Sequence, residues 1–157
     1  MTLHRVTPAD HDRLWAILEP AFRGGDTYAV DPAISRAEAL AYWTGPDREA
    51  WITDDGTGTY YLKPNQAGGG DHVCNAGFAT LPAARGRGTA RAMLDHALDR
   101  ARARGFAAMQ FNFVLATNTR AVAIWRDYGF DIVGRVPHAF RHPQRGPTDA
   151  LILHRFL

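Results

Sequence analysis

Apolar and polar residues alternate over Leu3–Val6, predicting a short strand, and Thr7-Pro8 follows as an N-cap with a first-turn proline. Leu14, Trp15, Ile17, Leu18, Ala21 and Phe22 then recur at helical spacing until Gly24-Gly25 ends the run. Ser35-x-x-Glu38 is a capping-box pattern, and Leu40, Ala41 and Trp43 ride on the helix it opens. Two strands are expected over Glu49–Thr53 and Thr57–Lys63, with turn chemistry at Asp54–Gly58 and a glycine-rich loop at Gln66–Asp71. A fourth strand spans Val73–Leu81 and stops at Pro82.

A long helix is expected from about Arg87 to Arg104, with Met93, Leu94, Ala97, Leu98 and Ala101 on one stripe and Gly105 as its C-cap glycine. Phe106–Leu115 is apolar enough for a central strand, and Asn118–Tyr128 reads as a helix closed by Gly129. Asp131–Val136 and Asp149–Phe156 are the last strands, joined by a loop that holds Pro137, Pro143 and Pro147. The order β-α-α-β-β-β-α-β-α-β-β predicts an α/β (α+β) fold. Its sheet is mixed, with an antiparallel meander in the middle and a parallel unit from Val73 to Leu115.

At 157 residues the chain is expected to form one domain, 1–157, with no internal repeat or linker. Hydrophobic residues make up 46% and charged residues 22%, which argues against disorder. No apolar run is long enough for a transmembrane helix, and the N-terminus lacks a signal-peptide layout, so a soluble, cytoplasmic protein is expected. Cys74 stands alone, which excludes an internal disulfide framework and a multi-cysteine zinc site. The net charge of +2 is too small for the basic field that nucleic-acid binding needs, although 17 of the 18 basic residues are arginine.

Arg85-Gly86-Arg87-Gly88-Thr89-Ala90 is the sharpest chemical signal. It joins a strand to a helix, where glycines let the backbone approach a ligand and the helix N-terminus favours an anion. Arg85, Arg87 and Arg91 add charge for phosphates. The segment lacks P-loop spacing, and Arg91 occupies the third glycine position of the dinucleotide fingerprint. By itself it also reads as an ordinary loop.

In context the segment resembles the acetyl-CoA-binding motif of the GCN5-related N-acetyltransferase (GNAT) family, Gln/Arg-x-x-Gly-x-Gly/Ala, matched by Arg85, Gly88 and Ala90. Pro82 also sits where that family often has proline, and Asn118-x-x-Ala121 followed by Gly129-Phe130 resembles a second family pattern. The resemblance implies a mostly antiparallel sheet of six to seven strands, about four helices and a central V-shaped cleft. It implies that the backbone of Thr80 and Leu81 holds the pantetheine arm and that amides from Arg85, Gly86, Arg87, Gly88, Thr89 and Ala90 hold the pyrophosphate. Asn118 would contact the cofactor near its thioester.

Many members of the family place a thiolate-protonating tyrosine seven residues after this asparagine; here the position is Trp125, whose indole N–H is no usable acid. Tyr128 does not simply replace it. Asn75 and Asn112 interrupt apolar strands, and a buried carboxamide needs a partner, whether structural or a ligand. A narrower resemblance, to the branch that includes the fungal acetyltransferase of proline analogues, suggests that both contact an amino-acid-like substrate. His72 and Cys74 lack a third metal ligand nearby, Cys74 reads best as core, and His138 and His142 are surface histidines or rim an acceptor site.

The implied function is direct acetyl transfer from acetyl-CoA to the amine of a small molecule. No metal, nucleic acid or membrane is involved, and a homodimer is left open. The competing reading is a non-catalytic acetyl-CoA-binding or sensing module of the same fold.

Overall fold

The computed structural model describes every residue from Met1 to Leu157. β1 (Leu3–Arg5), β2 (Glu49–Thr53), β3 (Gly58–Pro64) and β4 (Val73–Thr80) form an antiparallel meander. α3 (Thr89–Ala103) then carries the chain to β5 (Ala108–Leu115), which lies parallel to β4. α4 (Thr119–Asp127) leads into the hairpin of β6 (Asp131–His142) and β7 (Gly146–Phe156), and β7 pairs antiparallel with β5. The result is one seven-stranded sheet in the order β1-β2-β3-β4-β5-β7-β6.

Both faces of the sheet are covered. α1 (His11–Arg23) and α2 (Arg36–Trp43) pack on one face, where Leu14, Ile17, Leu18, Phe22, Ala39 and Trp43 meet Ile52, Tyr61 and Ala79. On the other face Met93, Leu94, Ala97, Leu98 and Ala101 of α3, with Trp125 of α4, meet Tyr60, Leu62, Met109, Phe111 and Leu153. Tyr60 and Tyr61 are neighbours on β3 but belong to opposite cores, as strand alternation requires. The fully buried Trp43 satisfies its indole N–H on Thr59 Oγ1, 3.0 Å away.

The caps match the sequence. Ser35 Oγ accepts from the Glu38 amide at 3.2 Å, and Glu38 accepts from the Ser35 amide at 2.9 Å, closing the box before α2. Thr7 and Asp10 form the same reciprocal pair around a one-turn 3-10 helix that precedes α1.

Three boundaries differ from expectation. α3 begins at Thr89 and not Arg87, because Gly88 is its N-cap at φ +83°, a conformation that breaks the helical path. β5 begins at Ala108, because the Phe106 amide bonds back to the Ala101 carbonyl at 3.1 Å and so completes the helix-terminating turn around Gly105. The proline-containing stretch after Val136 is hairpin, not loop. Pro137 falls at the register shift between Val136 and Phe140 of the outer strand, where no ladder amide is required. Pro147 pairs with Arg141, beyond the part of β7 that meets β5.

Candidate active site

β4 and β5 pair only at Val73–Ala108 and Cys74–Met109, at the closed end of a V. Beyond that point the strands part and leave a cleft of about 360 Å³. The backbone of β4 alternates: Val73 accepts from Asn65 and Leu81 donates to Thr57, so the odd-numbered residues bond to β3. Ala76, Phe78 and Thr80 therefore turn their peptide groups toward the gap. The Tyr28 hydroxyl, reaching in from the α1–α2 connection, donates to the Phe78 carbonyl.

The cleft passes through the sheet. Asn118, Ala121 and Trp125 line it from the α3/α4 face, and Tyr28, Tyr42, Tyr61 and Arg48 line it from the α1/α2 face. Two molecules entering from opposite faces can thus meet in one opening.

Of the two strand-end residues expected to hold a pantetheine arm, only Thr80 has its backbone free. Leu81 spends its amide on Thr57 at 2.9 Å and its carbonyl on Ala84 at 2.9 Å. The following turn is also more selective than the motif suggested. The Arg85 and Arg87 amides close local turns onto Pro82 and Ala84, whereas those of Gly86, Gly88, Thr89 and Ala90 have no partner in the chain. Gly86 and Gly88 sit at φ +82° and +83° in an exposed turn ahead of the α3 N-terminus. A pyrophosphate fits there on chemical grounds, as unpaired donors lie beside a helix N-terminus.

Arg91 turns away and binds Asp127 at 2.6 Å. Arg120 of α4, which the motif does not contain, lies against the turn instead, with Nη2 3.3 Å from where a Gly86 Cβ would stand. The Thr89 side chain packs inward against Gly58, fixing the start of α3 on β3.

Asn118 is the N-cap of α4, its Oδ1 accepting from the Ala121 amide at 3.3 Å. That explains the Asn-x-x-Ala spacing: the asparagine caps the amide three residues on, which leaves Nδ2 for the cleft. Trp125 is 7% exposed, with its ring 5.2 Å from Phe78 and 4.9 Å from Phe111. Its indole N–H has no partner in the chain. Tyr128 faces α3, under the Arg91 guanidinium 5.7 Å away, and lines no part of the cleft.

Asn75 and Asn112 both line the cleft, but in different states. Asn75 is buried at 8% exposure and its Nδ2 donates to the Gln110 carbonyl at 2.9 Å, leaving Oδ1 unused. Asn112 is exposed, contrary to the expectation of a buried carboxamide. Strand alternation puts Asn112 on the face opposite the buried Phe111 and on the same face as Gln110, and the β5–β7 register gains one extra β5 residue between Phe111 and Val114. Its Nδ2 donates to Asn65 Oδ1 at 2.7 Å, and its Oδ1 accepts from Gln110 at 3.0 Å.

Sequence reasoning missed the wall made by Tyr42, Arg48, Tyr61 and Lys63. Gly77 is the one residue whose sequence neighbourhood carried a trace of it. A Cβ there would stand 2.5 Å from the Tyr61 ring, so only glycine lets that ring cross β4. Burial pushes the Tyr61 and Tyr28 phenols well above the ordinary tyrosine range.

The remaining candidates separate cleanly. Cys74 is fully buried and desolvation pushes its thiol up to about 12, the reverse of what a nucleophile needs. His142 accepts from the Gln144 and Arg145 amides and serves the hairpin turn. His138, at φ +48°, lines a second cavity of about 420 Å³ that shares Tyr28 with the cleft.

The family model described as Acetyltransferase (GNAT) family matches residues 12–130, and the chain belongs to that family. It is 30% identical over 148 residues to the N-acetyltransferase aca1 of Schizosaccharomyces pombe, covering 82% of this chain and 71% of that protein. Among solved structures it is similar to a GCN5-related N-acetyltransferase from Kribbella flavida, at 36% identity and a TM-score of 0.91 over 99% of this chain and 97% of that one. The fold is also that of yncA, a putative acetyltransferase from Salmonella typhimurium solved with its cofactor acetyl-CoA. There the identity is 19% and the TM-score 0.86, over 100% of this chain and 94% of that one.

Proposed function

We propose that this acetyltransferase moves an acetyl group directly from acetyl-CoA to the amine of a small, amino-acid-like molecule. The observation that carries the reading is the through-sheet cleft with its aromatic wall, together with the unpaired amides of Gly86, Gly88, Thr89 and Ala90 in the turn that follows β4. The pyrophosphate takes those amides and Arg120, and the pantetheine arm runs along the free peptide edge of Thr80 and the Phe78 amide. Asn118 and Trp125 stand beside the thioester. The acceptor enters from the α1/α2 face, where the free Oδ1 of Asn75 and the outward Asn112 contact it.

No Asp, Glu or His lines the cleft, so the amine gives up its proton to water. The nitrogen attacks the thioester carbonyl, and the oxyanion that forms takes a hydrogen bond from the Phe78 amide. As the C–S bond breaks, the thiolate leaves with help from the Asn118 carboxamide or water, since a thiol pKa of about 8.5 makes a strong acid unnecessary.

Calorimetry with CoA, followed by CoA release from acetyl-CoA across a panel of small amines, tests this. Micromolar binding with amine-dependent release supports the reading. Tight binding with no release for any amine favours a sensing module instead, the alternative that Trp125 in place of a tyrosine keeps in play.

A further inference from the structure

We infer that Arg48 is the acceptor's carboxylate receptor, so that the small amine carries an anionic group. This rests on the acetyl-transfer reading above and adds the feature by which that site would select its substrate.

Arg48 closes the turn before β2, its amide bonding to Gly45 at 2.9 Å, and its side chain is 14% exposed. The guanidinium lies 4.4 Å from the Tyr42 ring centre and 4.6 Å from that of Tyr61, in the corner made by two rings at 88°. Such packing fixes the plane of the fork and strips water from it. Yet neither terminal nitrogen donates a hydrogen bond to the chain, and Nη1 is buried without a partner. A buried, unpaired guanidinium nitrogen costs stability unless something it meets in function satisfies it.

The charge around it points the same way. Arg48 and Lys63 are the only charged residues lining the cleft, and both are cations. They share one carboxylate, Asp47, at 3.5 Å from Arg48 Nε and 3.5 Å from Lys63 Nζ, and Asp47 is 56% exposed. Two cations against one anion leave a positive excess on the wall opposite Trp125. A polyamine or a lysine-rich peptide would meet repulsion there, whereas a carboxylate takes charge-assisted N–H donors from a guanidinium held in plane by two rings. An acceptor with its carboxylate on Arg48 and its amine toward Asn75 spans the α1/α2 half of the opening.

The experiment uses matched triads: alanine, leucine and proline, each with its carboxamide and its decarboxylated amine, assayed for CoA release. Comparing each ratio in wild type and variant cancels the differing reactivity of the amines. The wild type should favour the acid over the carboxamide by about tenfold or more in kcat/KM for at least one triad. In Arg48→Met that preference should collapse to below about threefold, with CoA affinity retained. Arg48→Lys keeps the charge in the tyrosine corner but loses the fork, and decides the matter if Arg48→Met fails to fold: its preference should also drop.

An acid preference absent from the wild type, or undiminished in the substituted protein, overturns the inference. So does failure of all three triads in protein that releases CoA with other small amines. Absence of CoA binding, or of release with any amine, would instead overturn the acetyl-transfer reading beneath it.

Discussion

The Asn75 carboxamide nitrogen donates to the Gln110 carbonyl across 2.9 Å, one residue beyond the last backbone pair of β4 and β5, Cys74 with Met109. A side chain thus takes over where the parallel ladder stops. It spans a gap that is too wide for a peptide–peptide bond and still closed enough to be bridged. The bridge sets where the V begins, and it leaves Asn75 Oδ1 directed at the same opening.

Asn75→Ala should therefore act on two observables. Losing the bridge should destabilise the fold by about 1–3 kcal/mol in denaturant melts. Losing the acceptor contact should lower kcat/KM for the amine roughly 10–100-fold with CoA affinity retained. Asn112→Ala should cost less stability, because its partners Asn65 and Gln110 are reached by solvent. Acceptor kinetics unchanged in both variants would assign the two residues to structure alone.

Gly88→Asp should weaken CoA binding at least about tenfold, or ~1.4 kcal/mol, by calorimetry. Gly88→Ala separates the causes. A Cβ at Gly88 meets nothing within 4 Å, so alanine carries only the strain of φ +83° while aspartate adds a negative charge to the turn proposed for the phosphates. Equal affinity in wild type and Gly88→Asp would remove the turn from the cofactor site.

Trp125→Phe keeps an aromatic surface against Phe78 and Phe111 but deletes the N–H, and turnover should fall by less than about tenfold. Trp125→Ala should instead destabilise by about 3–5 kcal/mol through the cavity it leaves. A loss of about 100-fold confined to kcat in Trp125→Phe would make the indole the proton donor after all.

Gly77→Ala should cost about 1–3 kcal/mol by overpacking, since the new methyl lands on the Tyr61 ring. Displacing that ring also dismantles the Arg48 corner, so KM for the amine should rise while CoA affinity holds. A variant as stable as wild type, with unaltered KM, would show that Tyr61 is free to move.

Stability should depend on pH through the N-terminal strand. His4 Nδ1 meets Asp54 at 2.7 Å and its Nε2 meets Asp10 at 3.1 Å, bonds that raise the His4 pKa. The same contact, with the Thr7 amide, lowers Asp10 to about 2. The His4 contribution is complete below its unfolded value of about 6.5 and is lost as pH rises through the raised folded value. The Asp10 contribution is complete above its unfolded value of about 3.9 and is lost as pH falls toward the lowered one. The difference in Tm between wild type and His4→Asn should be widest from about pH 4 to 6.5 and shrink toward pH 9; a gap that widens with alkali would refute it.

The sequence by itself determined the helix caps and the glycine turn before α3, because both depend on bonds between residues three to five apart. Ser35 with Glu38, Gly88 before α3 and Asn118 with Ala121 are all closed locally, so their spacing is written in the chain. The same holds for Tyr60 and Tyr61, which alternation sends to opposite faces. Tertiary structure alone decided the acceptor side. Asn112 sits on the rim, bridged to Asn65 47 residues away, and no local pattern encodes that pairing. Arg48 follows a β-turn as any surface arginine could. Only the approach of Tyr42 from α2 and Tyr61 from β3, the latter admitted by Gly77 on the next strand, makes it a half-buried cation with Nη1 unpartnered. A site assembled from side chains that far apart in sequence exists only once the sheet and both helix layers have closed around it.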